Sequence, residues 1–174
     1  WLKCYQAPAF FAALLNCQPM GFYSPATLVV DARRHGVEIR PVSIAHSGWR
    51  WRLEGSLGIR AGFLQLRGFS EKAAESIVAE RDRAEFGSVG EFCDRVQLHR
   101  DKLELLADSG AFDELSCDRR QALWQVAAWR RRRPLEGPFR QEALPGFMPL
   151  TPMQQNLLDH QKTGFSARQH PLSL

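Results

Sequence analysis

Apolar positions recur at helical spacing through most of this chain. Phe10, Phe11, Leu14 and Leu15 follow one another by turns behind Pro8, whose missing N–H suits a first helical turn. They predict an opening helix, broken at Gln18-Pro19-Met20-Gly21. Ser24-Pro25 reads as an N-cap and first turn, Leu28, Val29 and Ala32 as a buried stripe, and Gly36 as a left-handed C-terminal cap. The period then drops to two. Glu38-Ile39-Arg40 is a short strand stopped by Pro41. Trp49, Trp51 and Leu53 alternate with Arg50 and Arg52, and Glu54-Gly55-Ser56 turns the chain into Leu57–Arg60. That pattern predicts a small hairpin. Its two tryptophans read as one packed sheet face over helices, in preference to a base-stacking platform.

From Ala61 to about Arg133 the pattern is all helix. Phe63, Leu64 and Leu66 lead into a turn at Gly68. Ser70 caps a helix whose apolar positions are Ala73, Ala74, Ile77 and Val78. Ser88-Val89-Gly90-Glu91 has the form of a capping box, ahead of a stripe of Val89, Phe92, Cys93 and Val96. Leu103, Leu106 and Ala107 mark a short helix ending near Gly110, and Ala122, Leu123, Val126 and Ala127 mark the next. Pro134, Gly137, Pro138, Pro145 and Gly146 interrupt any period, so a linker or extended arm is expected up to Leu150. Thr151-Pro152-Met153-Gln154 is a second capping box and opens a terminal helix through Leu157 and Leu158.

Composition adds limits. A chain of 174 residues, 44% hydrophobic and 24% charged, can bury a core without staples. No apolar run approaches a bilayer span, no signal segment opens the chain, and Trp1 in place of Met reads as a cut inside a longer protein. Cys4, Cys17, Cys93 and Cys117, like the scattered histidines, show no metal-ligand spacing. Reduced thiols and a cytoplasmic location are expected. The net charge of +4 is mild, but Arg130-Arg131-Arg132-Arg133, Arg33-Arg34 and Arg119-Arg120 concentrate it in arginine, which suits two-pronged phosphate contacts as well as solvated helix faces.

The chemistry rests on Leu66-Arg67-Gly68-Phe69-Ser70-Glu71-Lys72-Ala73-Ala74-Glu75-Ser76-Ile77. This stretch resembles the helix-hairpin-helix motif, apolar-x-Gly-apolar-Gly followed by Ala and Ile. Leu66, Gly68, Phe69, Ala74 and Ile77 match, and Ser70 stands in place of the second glycine. Free N–H groups at a helix N-terminus and the positive end of its dipole attract an anion. A DNA phosphate fits there without a base being read. Gly68 admits the turn, Phe69 plugs the hairpin, and Arg67, Ser70 and Lys72 are candidate contacts. Ala107-Asp108-Ser109-Gly110-Ala111-Phe112-Asp113 is a looser candidate for a paired turn. It adds Ser109, Gly110, Arg119 and Arg120 to the candidate DNA-binding residues, although Asp108 and Asp113 oppose phosphate there.

Beyond these motifs the chain resembles the bacterial C-family DNA polymerases, relatives of the polymerase III alpha subunit, on their error-prone branch. The similarity is carried by Trp1-Leu2-Lys3 through Asn16, by Met20-Gly21-Phe22-Tyr23-Ser24-Pro25 and by Asp31-Ala32-Arg33-Arg34-His35-Gly36-Val37. Gly110-Ala111-Phe112-Asp113 with Asp118-Arg119-Arg120, Thr163-Gly164 and His170-Pro171-Leu172 extend it. The resemblance implies a mostly α fold: a helical end of the polymerase fingers with a small β-hairpin over 1–60, a tandem helix-hairpin-helix domain over 61–133, and a Pro-rich arm with a terminal helix over 134–174. It implies a parent enzyme that adds deoxynucleotides to a primer with magnesium held by carboxylates upstream of Trp1. This piece is then non-catalytic, has no cofactor of its own, and holds duplex or primer–template DNA. The alternative is a spacer or protein-docking module. Gln154-Gln155-Asn156-Leu157-Leu158 is faintly similar to peptides that bind sliding clamps. A stand-alone nuclease is excluded for want of a carboxylate cluster.

Overall fold

A computed structural model describes residues 2–115, 118–131 and 148–166. Trp1, Cys117, the side chains of the Arg130–Arg133 run, the arm over 134–147 and His170–Leu172 lie outside the described residues. Helix α1 spans Leu2–Tyr5 and α2 spans Ala7–Asn16, with Phe11 and Leu15 fully buried. Helix α3, Pro25–Arg34, starts as its sequence indicates: the Ser24 hydroxyl accepts from the Thr27 N–H at 3.2 Å, with proline in the first turn. Its buried Leu28, Val29 and Ala32 pack against α2.

The strand region is a three-stranded sheet. β1 (Glu38–Arg40) runs parallel to β3 (Gly58–Arg60), which pairs antiparallel with β2 (Arg52–Glu54), in the order β1-β3-β2. The expected hairpin is β2–β3, and its alternating face is shorter than the sequence pattern. Leu53 is 56% exposed, while Trp51 is buried before the strand begins. Asn16, at the end of α2, holds Trp51 as a strand partner would: its side chain accepts from the Trp51 N–H at 2.8 Å and donates to the Trp51 carbonyl at 2.9 Å. The indole lies 5.3 Å from the Phe165 ring, so it is a core side chain with no face left for a base.

Helices α4 (Glu71–Arg83), α5 (Val89–Val96), α6 (Arg100–Ser109) and α7 (Arg119–Arg131) follow. The stripe predicted for α5 is buried throughout, Cys93 included. Its cap differs from a reciprocal box: Ser88 accepts from the Glu91 N–H, but the Glu91 carboxylate accepts from Gly87 N–H at 2.9 Å, one residue early. Phe92 sits edge-on to Phe86 and Phe112 with centroids 4.9 and 5.1 Å apart, which ties α5 to the turn after α6. One apolar cluster runs from Phe11 through Ile59, Ala61 and Phe63 to Val126 and Phe165, crossing position 60 without a break.

Helix α8, Pro152–Thr163, begins with the complete Thr151–Gln154 capping box. Its buried face is polar. Asn156 and Asp159 are buried and Leu157 is 60% exposed. Among the described residues, no helix is long and apolar enough to cross a membrane.

Candidate nucleic-acid interface

The Gly68 turn is built by geometry that only a few residue types allow. The Phe69 N–H donates to the Leu66 carbonyl at 3.0 Å, closing a four-residue turn with Gly68 at φ +80° in its third position. A Cβ built on Gly68 meets nothing within 4 Å, so its backbone faces open space. Leu66 and Phe69 are buried; Phe69 stacks on Phe63 at 5.5 Å, the plug expected of it. Arg67, Gly68, Ser70, Glu71 and Lys72 are exposed. A rigid apolar base thus carries a polar rim. The element before the turn is only a 3-10 turn, Phe63–Gln65, rather than a full helix.

Ser70 takes the place of the motif's second glycine without strain. Its φ of −107° is extended backbone, and its hydroxyl accepts from the Ala73 N–H as the N-cap of α4. The first N–H groups of α4 keep the usual surplus of a helix start, on the exposed rim with Lys72. Glu71 lies in the same first turn and opposes an anion there.

The turn is braced from behind. The Arg67 N–H donates to the Lys162 carbonyl at 3.2 Å, and Lys102 Nζ donates to the Gly68 carbonyl while lying 5.8 Å from the Phe69 ring centroid. Lys162 pairs with Asp108 at 2.6 Å. Arg67, Gly68, Lys102, Asp108 and Lys162 line one open groove of about 340 Å³. No spacing rule in the sequence joins Lys102 and Lys162 to Gly68, because they come from α6 and α8.

The Gly110 turn is a different object. Gly110 caps α6 in the left-handed region, but Ser109 and Gly110 are buried, and the Ser109 hydroxyl donates to the Leu106 carbonyl at 2.9 Å. Arg119 is 3% exposed and is held by Asp159 at 2.5 Å and by the Gln155 carbonyl at 3.3 Å. Ser109, Gly110 and Arg119 are therefore buried, unlike the rim of the Gly68 turn. Arg120 is half-buried and donates to the Met148 carbonyl at 2.8 Å, and Asp118 holds the start of α7 by accepting from the Arg120 N–H. Of the candidate contacts, Arg67, Gly68, Ser70 and Lys72 are exposed and Arg120 is half-buried.

The arginine bias is corrected in the same way. Arg33 donates to the Ser166 carbonyl at 2.7 Å, and Arg81 to the carbonyls of Ser47 at 2.8 Å and Ile44 at 3.3 Å. Arg95 reaches the carbonyls of Glu80 and Ala84 and lies over the Phe86 ring at 4.6 Å. Arg60 is buried between Glu54 and Glu114, and Arg40 joins Glu54 at 2.5 Å. Their fork of donors fastens loops of this fold to one another. Among the described residues no cluster of His, Cys, Asp and Glu could hold a metal ion.

This architecture defines a class. Residues 36–122 match the family model described as "Helix-hairpin-helix motif", and the chain belongs to that family. The match takes in the sheet, the 3-10 turn before Gly68, helices α4 to α6 and the first turn of α7.

The whole chain is also similar to part of longer proteins. It is 42% identical over its full length to a protein named "Error-prone DNA polymerase" from Alkalilimnicola ehrlichii, 18% of which is covered. Proteins of the same name from Azoarcus and from Pseudomonas syringae are 40% and 39% identical over the full chain, with 17% and 18% of their lengths covered. The chain spans less than a fifth of the length of these relatives.

Proposed function

We propose that this chain is a DNA-holding, non-catalytic part of an error-prone DNA polymerase, and that it grips the sugar–phosphate backbone of duplex or primer–template DNA without reading bases. The observation that carries the proposal is the Gly68 turn: a left-handed glycine with open space before it, on a buried Phe69 plug, beside the exposed first turn of α4. A phosphate seated there accepts from first-turn N–H groups and lies near Lys72 and Arg67. Gly68 allows the close approach, and the Ser70 cap fixes the helix start. The parent enzyme's magnesium and its nucleotide-adding carboxylates belong to another part of that enzyme, which acts in the cytoplasm.

Fluorescence anisotropy of a labelled primer–template against the full chain tests this directly. Gly68→Val and Lys72→Ala, each shown to be folded by circular dichroism, should both weaken binding, and a scrambled DNA sequence should bind equally well. Unchanged affinity in both variants rejects the site. Template-dependent extension by the purified chain rejects the non-catalytic assignment.

A second reading has its own observation. Met148, Met153 and Leu157 are 76%, 74% and 60% exposed, the last two one turn apart on α8. Such a stripe suits docking to another protein, a sliding clamp or another mutagenesis protein among them. Docking of that kind responds little to salt.

A further inference from the structure

Helix α8 joins parts of the chain that are far apart in sequence, and it does so with polar groups. Asp159, 6% exposed, accepts from Arg119 through one oxygen and from the Ser166 hydroxyl, at 2.9 Å, through the other. The Ser166 hydroxyl is also 2.6 Å from the Asn156 amide oxygen, and the Ser166 carbonyl accepts from Arg33 of α3. Among the described residues Arg119 Nε has no hydrogen-bond partner, while the same guanidinium donates to the Asp159 carboxylate. One turn beyond Asp159, the Lys162 carbonyl accepts from the Arg67 N–H, and the Lys162 ammonium meets Asp108. A buried ionic anchor and the base of the Gly68 turn are thus the two ends of a single helical turn.

We propose that Asp159 is a positioning residue for DNA binding: by seating α8 on Arg119 and Ser166, it holds the Lys162 carbonyl where it fixes the Arg67–Gly68 backbone for a phosphate. The proposal rests on the reading of the Gly68 turn given above. Asp159 itself faces the interior and touches no DNA. Helix α8 thus completes a site whose motif lies some ninety positions earlier in the chain. Loss of the anchor loosens the turn while the apolar core, from Phe11 to Val126, stays intact.

The experiment is a comparison of the full 174-residue chain with Asp159→Asn, Asp159→Glu and Lys162→Ala. Primer–template affinity is measured across a salt series, and exchange of the Arg67 amide proton is followed by NMR. In Asp159→Asn, affinity should fall roughly three- to tenfold, the size of effects transmitted through a packed network. The slope against salt should be unchanged because no phosphate contact is lost. The Arg67 amide should exchange faster while amides in the middle of α4, such as Ile77, keep their protection. Asp159→Glu should restore part of both. Lys162→Ala keeps the carbonyl and should leave Arg67 protected. Equal affinity and equal Arg67 protection in Asp159→Asn overturn the proposal, as does loss of protection at Arg67 and Ile77 together, which marks general unfolding. If the unaltered chain shows no salt-dependent DNA binding, the reading of the Gly68 turn fails first; Arg67 exchange still reports whether Asp159 holds the turn.

Discussion

Gly68 and Gly110 hold nearly the same backbone angle, φ +80° and +76°, in opposite surroundings. A Cβ on Gly68 meets nothing within 4 Å, whereas one on Gly110 lies 2.8 Å from Arg119 Nε and 3.1 Å from Asp113 Oδ1. Alanine at either position carries left-handed strain of about 1–2 kcal/mol. At Gly110 it must also displace a buried guanidinium that Asp159 and the Gln155 carbonyl hold in place. Forcing a packed side chain aside costs about 1–3 kcal/mol more. Gly110→Ala should therefore lose about 2–5 kcal/mol and Gly68→Ala about 1–2 kcal/mol. At this chain length each kcal/mol lowers Tm by roughly 2–4 °C. Urea unfolding followed by circular dichroism, with the slope common to both variants, measures the difference. Equal losses would refute the argument, since they would mean that Arg119 does not rest on the Gly110 turn.

Other consequences can be checked as simply. Glu71→Gln removes a carboxylate from the first turn of α4 and should tighten primer–template binding by about two- to fivefold at low salt, read by anisotropy. Glu54 is held at about 2, below its ordinary 4.5, chiefly by its hydrogen bond to Arg60 and then by Arg40, against the opposing effect of burial. Its folded pKa is depressed, so its contribution is complete above about pH 4.5 and is lost as pH falls toward 2. Acid unfolding of Glu54→Gln should be flatter across that window, and an unchanged profile would contradict the arrangement. The Cys93 thiol is pushed up to about 12 by burial and then by Asp94, while Cys4 and Cys17 are exposed. Peptide mapping should find Cys4 and Cys17 alkylated in the native chain and Cys93 only after unfolding.

What the sequence showed well was local. Phe11 and Leu15, the Ser24 cap, the α5 stripe and the Thr151 capping box are set by spacing within one or two turns, where periodicity and capping chemistry act. The parallel pairing of β1 with β3 escaped it, because Ile39 and Ile59 meet across an intervening strand and loops. The polar face of α8 escaped it for a different reason. Asn156 and Asp159 carry no apolar signal, and their burial depends on Arg119, forty positions away from Asp159. The same distance misled the reading of arginine. Charge clusters in sequence suggest a surface, yet Arg119 is consumed by a carboxylate from another helix while its neighbour Arg120 stays half-buried. Of the candidate contacts, the Gly68 stretch was legible because a turn motif is contiguous, and its brace from Lys102 and Lys162 was not because it is assembled from two later helices.

The central claim is that one hairpin turn binds DNA through its backbone charge. The salt dependence of binding tests it most directly, with labelled primer–template titrated against the full chain between low and physiological salt. A turn that meets about two phosphates should give a log–log slope of roughly −2, reduced by about one in Lys72→Ala and unaffected by DNA sequence. A flat slope, or a steep one that Lys72→Ala and Gly68→Val leave untouched, would contradict the account.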